Sequence, residues 1–332
     1  MPTQEIFCPI CNKIYTSKPI LEYPSICNNF CYYLYKCDIC DFQFWDPRQL
    51  SNKGYLEDEF NLYSDFHDGT RQLPNRFSFL FKYKKLFSKK KFIKILDVGC
   101  GDGLFLKTLC DYFPSIVYSS YGVDFDSKSI NISKNKNRIN NTFCESLEDF
   151  VARGVKDFDL ICIFEVLEHQ ANPKLFLLKL RELLTNDGMI LGTVPNRSRI
   201  FANEERLILK GDFPPHHFLW FSKSSLIKLF KISNFTHSFC EPYFFSIDDI
   251  ASCIQNFLFA KHTQSIKKFI RNVISINKRN SEEQILKHIY NNTSVLNFIL
   301  KLMRIIVLAP FIAFIYIARS QNGRGLFFCV KK

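Results

Sequence analysis

The chain has 332 residues, 47% of them hydrophobic, which suits one globular core domain with additions and excludes a disordered polymer. Residues 1–20 hold no apolar run of the kind that opens a secretory signal, so the 13 cysteines are expected in a reducing cytosol and not in a disulfide framework. The formal net charge of +12 suits an anionic partner (nucleic acid, anionic lipid or an acidic sugar) or simply a lysine-rich solvated surface, while the 36 phenylalanines read as a base-composition bias.

The first segment, residues 1–45, carries Cys8-Pro9-Ile10-Cys11 and Cys37-Asp38-Ile39-Cys40, with Cys27 and Cys31 between them. A CxxC turn aims two thiolates at one point, and two such turns complete a tetrahedral Zn²⁺ site, as in zinc ribbons. The expected ligands are Cys8, Cys11, Cys37 and Cys40. Cys27 and Cys31 remain open, as replacements for a pair or as buried thiols. So short a segment cannot bury a sufficient core alone, and a structural metal would supply its folding energy. Residues 46–90 then read as a helical linker or lid, with Tyr55, Tyr63, Phe66 and His67 ahead of an amphipathic run through Phe77, Leu80, Phe81, Lys84 and Phe87.

Residues 91–245 and 321–332 alternate between strand-like and helical patterns. Strands are predicted at 92–98, 117–123, 141–144, 159–164, 188–194, 235–242 and 325–331. Helices are predicted at 103–113, 127–137, 173–184 and 222–232. The alternation implies an α/β doubly wound, Rossmann-like fold, a parallel sheet with helices on both faces. Asp97-Val98-Gly99-Cys100-Gly101-Asp102-Gly103 joins the first strand to the first helix. Strand, tight glycine turn and helix form the nucleotide-binding corner of such folds, because glycine tolerates positive φ and lets a ligand lie against the backbone. The second strand ends on Asp124, where a carboxylate suits a ribose diol.

This turn is one residue tighter than a dinucleotide fingerprint, and with the flanking Asp97 and Asp124 it resembles motif I of the class I S-adenosylmethionine-dependent methyltransferases. The resemblance continues through Phe158-Asp159-Leu160-Ile161-Cys162-Ile163-Phe164-Glu165-Val166-Leu167-Glu168-His169. Leu183-Leu184-Thr185-Asn186-Asp187-Gly188-Met189-Ile190-Leu191 is similar to the family's "LLKPGG" turn and fifth strand. The likeness covers residues 90–245 and the last strand. It implies a seven-stranded sheet of order 3-2-1-4-5-7-6 with the last strand antiparallel, and S-adenosylmethionine as cofactor. It further implies that Asp97 organises the turn and that Gly99, Gly101 and Gly103 line the methionine and ribose. By the same likeness Asp124 binds the ribose diol, Phe125 lies along the adenine, Glu145 or Ser146 meets the adenine edge, and Glu165 stands beside the cofactor. Many bacterial methyltransferases acting on sugars or surface polysaccharides begin with a similar cysteine knuckle pair.

After the fourth strand comes Glu165-Val166-Leu167-Glu168-His169. On a helical turn Glu165, Glu168 and His169 fall at i, i+3 and i+4 and share one face. Two carboxylates and an imidazole form most of a Mg²⁺ or Mn²⁺ site. A further ligand, His217, could come from Pro214-Pro215-His216-His217 at the carboxyl edge of the sheet. The pattern is similar to metal-dependent small-RNA 2′-O-methyltransferases and in part to ubiquinone-pathway O-methyltransferases, which implies a metal that chelates substrate oxygens. Two other readings stand beside it. In one, His217 or His216 is a general base taking a proton from a sugar hydroxyl or amine, with Glu165 and His169 in the same catalytic group. In the other, the two glutamates cap a helix and His169 is merely packed. The segment from His216 to Ser222 also resembles the "PPHHL…FS" stretch of the polysaccharide-linked group, which implies a substrate-side loop.

Residues 246–320 are an insertion before the last strand, helical in pattern and basic, ending in an uncharged run from Ile305 to Ala318 broken by Pro310. That run is shorter than the roughly 20 residues of a spanning helix. It suits packing, oligomerisation or, with the basic residues of 261–318, association with a membrane surface. The expected activity is S-adenosylmethionine-dependent O-methylation of a small-molecule, sugar, glycan or nucleotide-sugar acceptor, with His217 or His216 as general base, in the cytoplasm or at the inner membrane surface. The alternative is metal-dependent 2′-O-type methylation of RNA or another vicinal diol. Nucleic acid is disfavoured because no RNA-binding signature is present. A non-catalytic scaffold is a third reading, opposed by the intact glycine turn.

Overall fold

The computed structural model describes residues 6–15, 18–25, 28, 30–48, 93–114, 117–199, 202–203, 206, 210–243, 310 and 323–332. Cys27, the linker residues Tyr55, Tyr63, Phe66 and His67, and the insertion 246–320 apart from Pro310 lie outside the described residues. The chain divides into two compact units. The first comprises Met1–Arg199, Gly211–Tyr243 and Arg324–Lys332, the second Ile200–Lys210 and Phe244–Gly323. Among the described residues no helix is long and apolar enough to cross a membrane.

The amino-terminal segment forms a hairpin of β1 (Ile6–Phe7) and β2 (Ile14–Tyr15), followed by β3 (Leu21–Pro24), β4 (Cys31–Lys36) and β5 (Gln43–Asp46). The core then runs β6 (Ile93–Val98), α1 (Leu104–Tyr112), β7 (Val117–Asp124), α2 (Ser127–Asn135), β8 (Thr142–Cys144), α3 (Leu147–Ala152) and β9 (Phe158–Phe164). It continues with a 3-10 turn (Leu167–His169), α4 (Pro173–Leu183), β10 (Leu184–Pro195), β11 (Leu219–Trp220), α5 (Lys223–Ile232), β12 (Thr236–Tyr243) and β13 (Gly325–Lys331). The large sheet has the order β12-β13-β10-β9-β6-β7-β8, and β13 runs antiparallel to both neighbours. This is the order 3-2-1-4-5-7-6 expected from the resemblance.

The elements follow from local chemistry. β9 is buried at six of its seven positions, as a central parallel strand covered on both faces must be. Asp126, Ser146, Asn172 and Ser222 cap α2, α3, α4 and α5, each side chain accepting from a backbone N–H of the first turn. Pro173 opens α4, where its missing N–H costs nothing. In β10, a side chain at Gly192 would stand 2.4 Å from the Phe328 ring, so the missing Cβ admits that ring. β10 starts at Leu184, four residues before the predicted strand, and α3 was not expected.

The small sheet has the order β11-β5-β4-β3. Its edge strand β11 belongs to the core, so the cysteine segment and the core share a sheet. Trp45, Phe213 and Trp220 pack with ring centroids 5.4–5.8 Å apart, and Phe42 packs 5.0 Å from Phe221.

Candidate active site

The glycine turn after β6 has the conformation its sequence demands. Gly99, Gly101 and Gly103 all have positive φ, at 75°, 53° and 74°. A Cβ on Gly99 would lie 2.5 Å from the Val166 side chain, so the turn after β9 packs directly on the glycine turn. Asp124, buried at the end of β7, braces the same turn. Its Oδ2 accepts from Gly101 N–H at 2.8 Å and its Oδ1 from Asp126 N–H at 2.9 Å. Asp97 is buried in β6 beneath the turn. Asp102 accepts from Leu104 N–H at 3.2 Å through Oδ1, while its buried Oδ2 has no hydrogen-bond partner among the described residues. The glycines let Val166 and Ser133 pack close to the turn, and the buried carboxylates of Asp97, Asp102 and Asp124 around it suit a cationic cofactor bearing a ribose. Phe125 is half-buried beside it. Glu145 is held by Arg153 through two contacts of 2.6–2.7 Å, and Ser146 caps α3. Both side chains expected at the adenine edge therefore have local partners.

The acid–histidine segment departs from the expected helical turn. Glu165 is left-handed at φ 58°, and only Leu167–His169 coil, as a 3-10 turn. The i, i+3, i+4 alignment therefore fails. Glu165 accepts from Tyr243 O–H at 3.3 Å and lies outside the donor cluster formed by Glu168, His169 and His217.

In that cluster Glu168 is fully buried. The Nδ1 of His169 contacts the His216 carbonyl, which only accepts, so this nitrogen carries the proton. The Nδ1 of His217 lies 3.1 Å from Asp212 Oδ1, and Asp212 also takes Arg199 at 3.0 Å. Each histidine turns its Nε2 toward Glu168, at 3.9 Å from Oε1 in both cases. That distance is too long for a hydrogen bond. Burial, followed by the neighbouring His217, pushes His169 down to about 3, so it is a neutral donor at ordinary pH. Two imidazole nitrogens and a carboxylate facing one another, with both rings oriented through Nδ1, fit a divalent cation. His216 contributes its carbonyl to this arrangement. Asp212, Arg199 and Tyr243 were missed in the sequence, because no motif spacing ties them to His217 or Glu165.

The four cysteines also converge. Cys8 and Cys40 lie 3.5 Å apart at Sγ, as do Cys11 and Cys37, and all four sulfurs lie within 4.8 Å of one another. A tetrahedral Zn²⁺ with bonds of about 2.3 Å spaces sulfurs about 3.8 Å apart, so the donor set fits that ion. Cys31 instead donates to Glu22 at 3.2 Å.

The profile of the methyltransferase domain family matches residues 67–237, a little over half of the chain. The chain belongs to that family, and its class is that of the S-adenosylmethionine-dependent methyltransferases. It is similar to a ubiquinone biosynthesis O-methyltransferase of Pelagibacter ubique, 27% identical over 201 residues, covering 58% of this chain and 80% of the relative. A second protein of that name, from Nitrobacter winogradskyi, is 33% identical over 110 residues, covering 32% of this chain and 40% of the relative. The chain thus spans most of one of these relatives and less than half of the other. Among solved structures, an S-adenosylmethionine-dependent methyltransferase from Archaeoglobus fulgidus matches with a TM-score of 0.46 at 17% identity, covering 83% of this chain and all of that one.

Proposed function

We propose that the chain transfers a methyl group from S-adenosylmethionine to a hydroxyl of an acceptor with adjacent oxygens, held at a divalent-cation site of Glu168, His169 and His217. The observation that carries this reading is the pair of histidine Nε2 atoms turned on one buried carboxylate. Val166 packs that turn against Gly99, which supports an acceptor site beside the cofactor turn. A bound Mg²⁺ or Mn²⁺ would draw acceptor oxygens into its open positions and lower the pKa of the hydroxyl. The residues do the positioning. The glycine turn and Asp124 hold the donor, while Asp212 and the His216 carbonyl fix the rings of His217 and His169. The hydroxyl oxygen displaces the sulfonium in line, forming a C–O bond as the S–C bond breaks and leaving S-adenosylhomocysteine. The relatives named as O-methyltransferases support oxygen as the methylated atom. Sugar diols, catechols and a terminal ribose all belong to this acceptor class, which keeps the glycan and the RNA expectations as particular cases. A structural Zn²⁺ at Cys8, Cys11, Cys37 and Cys40 completes the proposal.

A second reading is favoured by the Asp212–His217 contact, which leaves Nε2 of His217 free to take the hydroxyl proton as a general base. Electron paramagnetic resonance of added Mn²⁺ separates the two. The metal reading expects saturable binding that Glu168→Gln weakens by about tenfold or more. Mn²⁺ that stays free in the wild-type protein would overturn it in favour of the histidine base.

A further inference from the structure

We infer that the four-cysteine module positions His217, so that metal held by Cys8, Cys11, Cys37 and Cys40 controls the acceptor side of the active site and not the cofactor side. The inference rests on the acceptor and zinc sites proposed above. Cys37 and Cys40 form the turn between β4 and β5, and from Cys40 the chain meets the core at successive residues. Asp41 takes the Arg197 guanidinium at 2.5 Å. Phe42 packs on Phe221, and Phe44 pairs with Leu219 across β5 and β11. Trp45 N–H donates to the Phe218 carbonyl at 2.8 Å.

Phe218 is the residue after His217, and its own N–H donates to the Glu168 carbonyl at 3.0 Å. The Phe218 residue is therefore gripped from two sides, by the Glu168 turn and by the strand that leaves the second knuckle. The glycine turn is braced differently, by Val123, Asp124 and Val166 of the large sheet and its turns. Phe42, Phe44 and Trp45 are buried in the main core, so packing holds the body of β5, while the Cys37–Cys40 turn that opens it depends on the thiolate cluster; metal loss would free that turn and loosen β5 from its amino-terminal end. Phe218, which follows His217, would then keep its bond to Glu168 but hold the one from Trp45 less firmly, while the donor site kept all of its own.

The test is hydrogen exchange on the full chain, with zinc measured by mass spectrometry and S-adenosylhomocysteine affinity by calorimetry. The wild-type protein should hold one zinc. Cys37→Ser with Cys40→Ser should lose it and speed exchange in residues 213–221 by about tenfold, with segments 95–104 and 121–126 nearly unchanged. Cofactor-product affinity should stay within about threefold. Arg197→Gln, which keeps all four cysteines, should retain zinc and speed exchange in the same segment by a smaller factor. Wild-type protein without zinc, zinc loss that leaves 213–221 unchanged, or an equal rise across the whole core would each overturn the inference. Mn²⁺ affinity, measured in parallel, judges the acceptor site separately. If wild-type protein ignores Mn²⁺, that reading fails while the exchange data still decide this one.

Discussion

Asp124 shows how one side chain serves two purposes. Its carboxylate braces the glycine turn through Gly101 and caps the following turn through Asp126, and it is the acid that the cofactor ribose would meet. Asp124→Ala removes charge-assisted hydrogen bonds worth about 1.5–3 kcal/mol, so cofactor affinity should fall about 10- to 100-fold in calorimetry. Unchanged affinity would remove Asp124 from the site. His169 makes a different kind of prediction. Its pKa in the folded, metal-free protein is pushed down to about 3 from an unfolded value near 6.5. The unfolded chain therefore binds the extra proton between those values. The stability associated with a neutral His169 is complete above about pH 6.5 and is lost as pH falls toward 3. Thermal melts of metal-free protein should decline across that window, and His169→Asn should flatten the decline. An equal slope in the variant would assign it to other groups.

At the scale of elements, the sheet was legible where apolar runs such as Leu160–Phe164 of β9 and Leu326–Val330 of β13 stand between helical patterns, and where glycines or caps mark their ends. The predicted strand 159–164 and helix 173–184 lie within one residue of β9 and α4 for that reason. The site was legible only in part. Glu168, His169 and His217 come together as the residue types suggested, but the helical turn expected at Glu165 does not form. A residue directly after a parallel strand must redirect the chain, and here Glu165 does so in the left-handed region while its N–H still donates to Thr193 of β10. Periodicity arguments do not register such a reversal. β11 was invisible for another reason. It is two residues long, and its pairing partner β5 lies well over a hundred residues away in sequence. The cysteine spacing named a metal site, but nothing in it named the strand from the core that completes the small sheet.

At the scale of the whole molecule, the glycine turn and the proposed acceptor cluster stand beyond the ends of two neighbouring strands of one sheet, β6 and β9. The donor turn hangs on β6 and β7, the acceptor cluster on the turn after β9 and the segment before β11. Val166 against Gly99 adds a side-chain contact to that strand pairing. The sheet also contains a joint. Tyr243 ends β12 and Gly325 begins β13, and the two are cross-strand partners in adjacent antiparallel strands. The Tyr243 ring occupies the space that a side chain at 325 would fill. Everything between them therefore leaves and re-enters the sheet at neighbouring points, as the loop of a hairpin does. Such a joint makes it testable whether the intervening sequence is a separable cassette. Replacing residues 244–324 with a short Asn-Gly turn should leave a folded protein that still binds S-adenosylhomocysteine, checked by calorimetry, and loss of binding would show that the cassette helps to build the donor site. If binding survives, a lineage could exchange this segment, and with it the surroundings the enzyme works in, without rebuilding the chemistry.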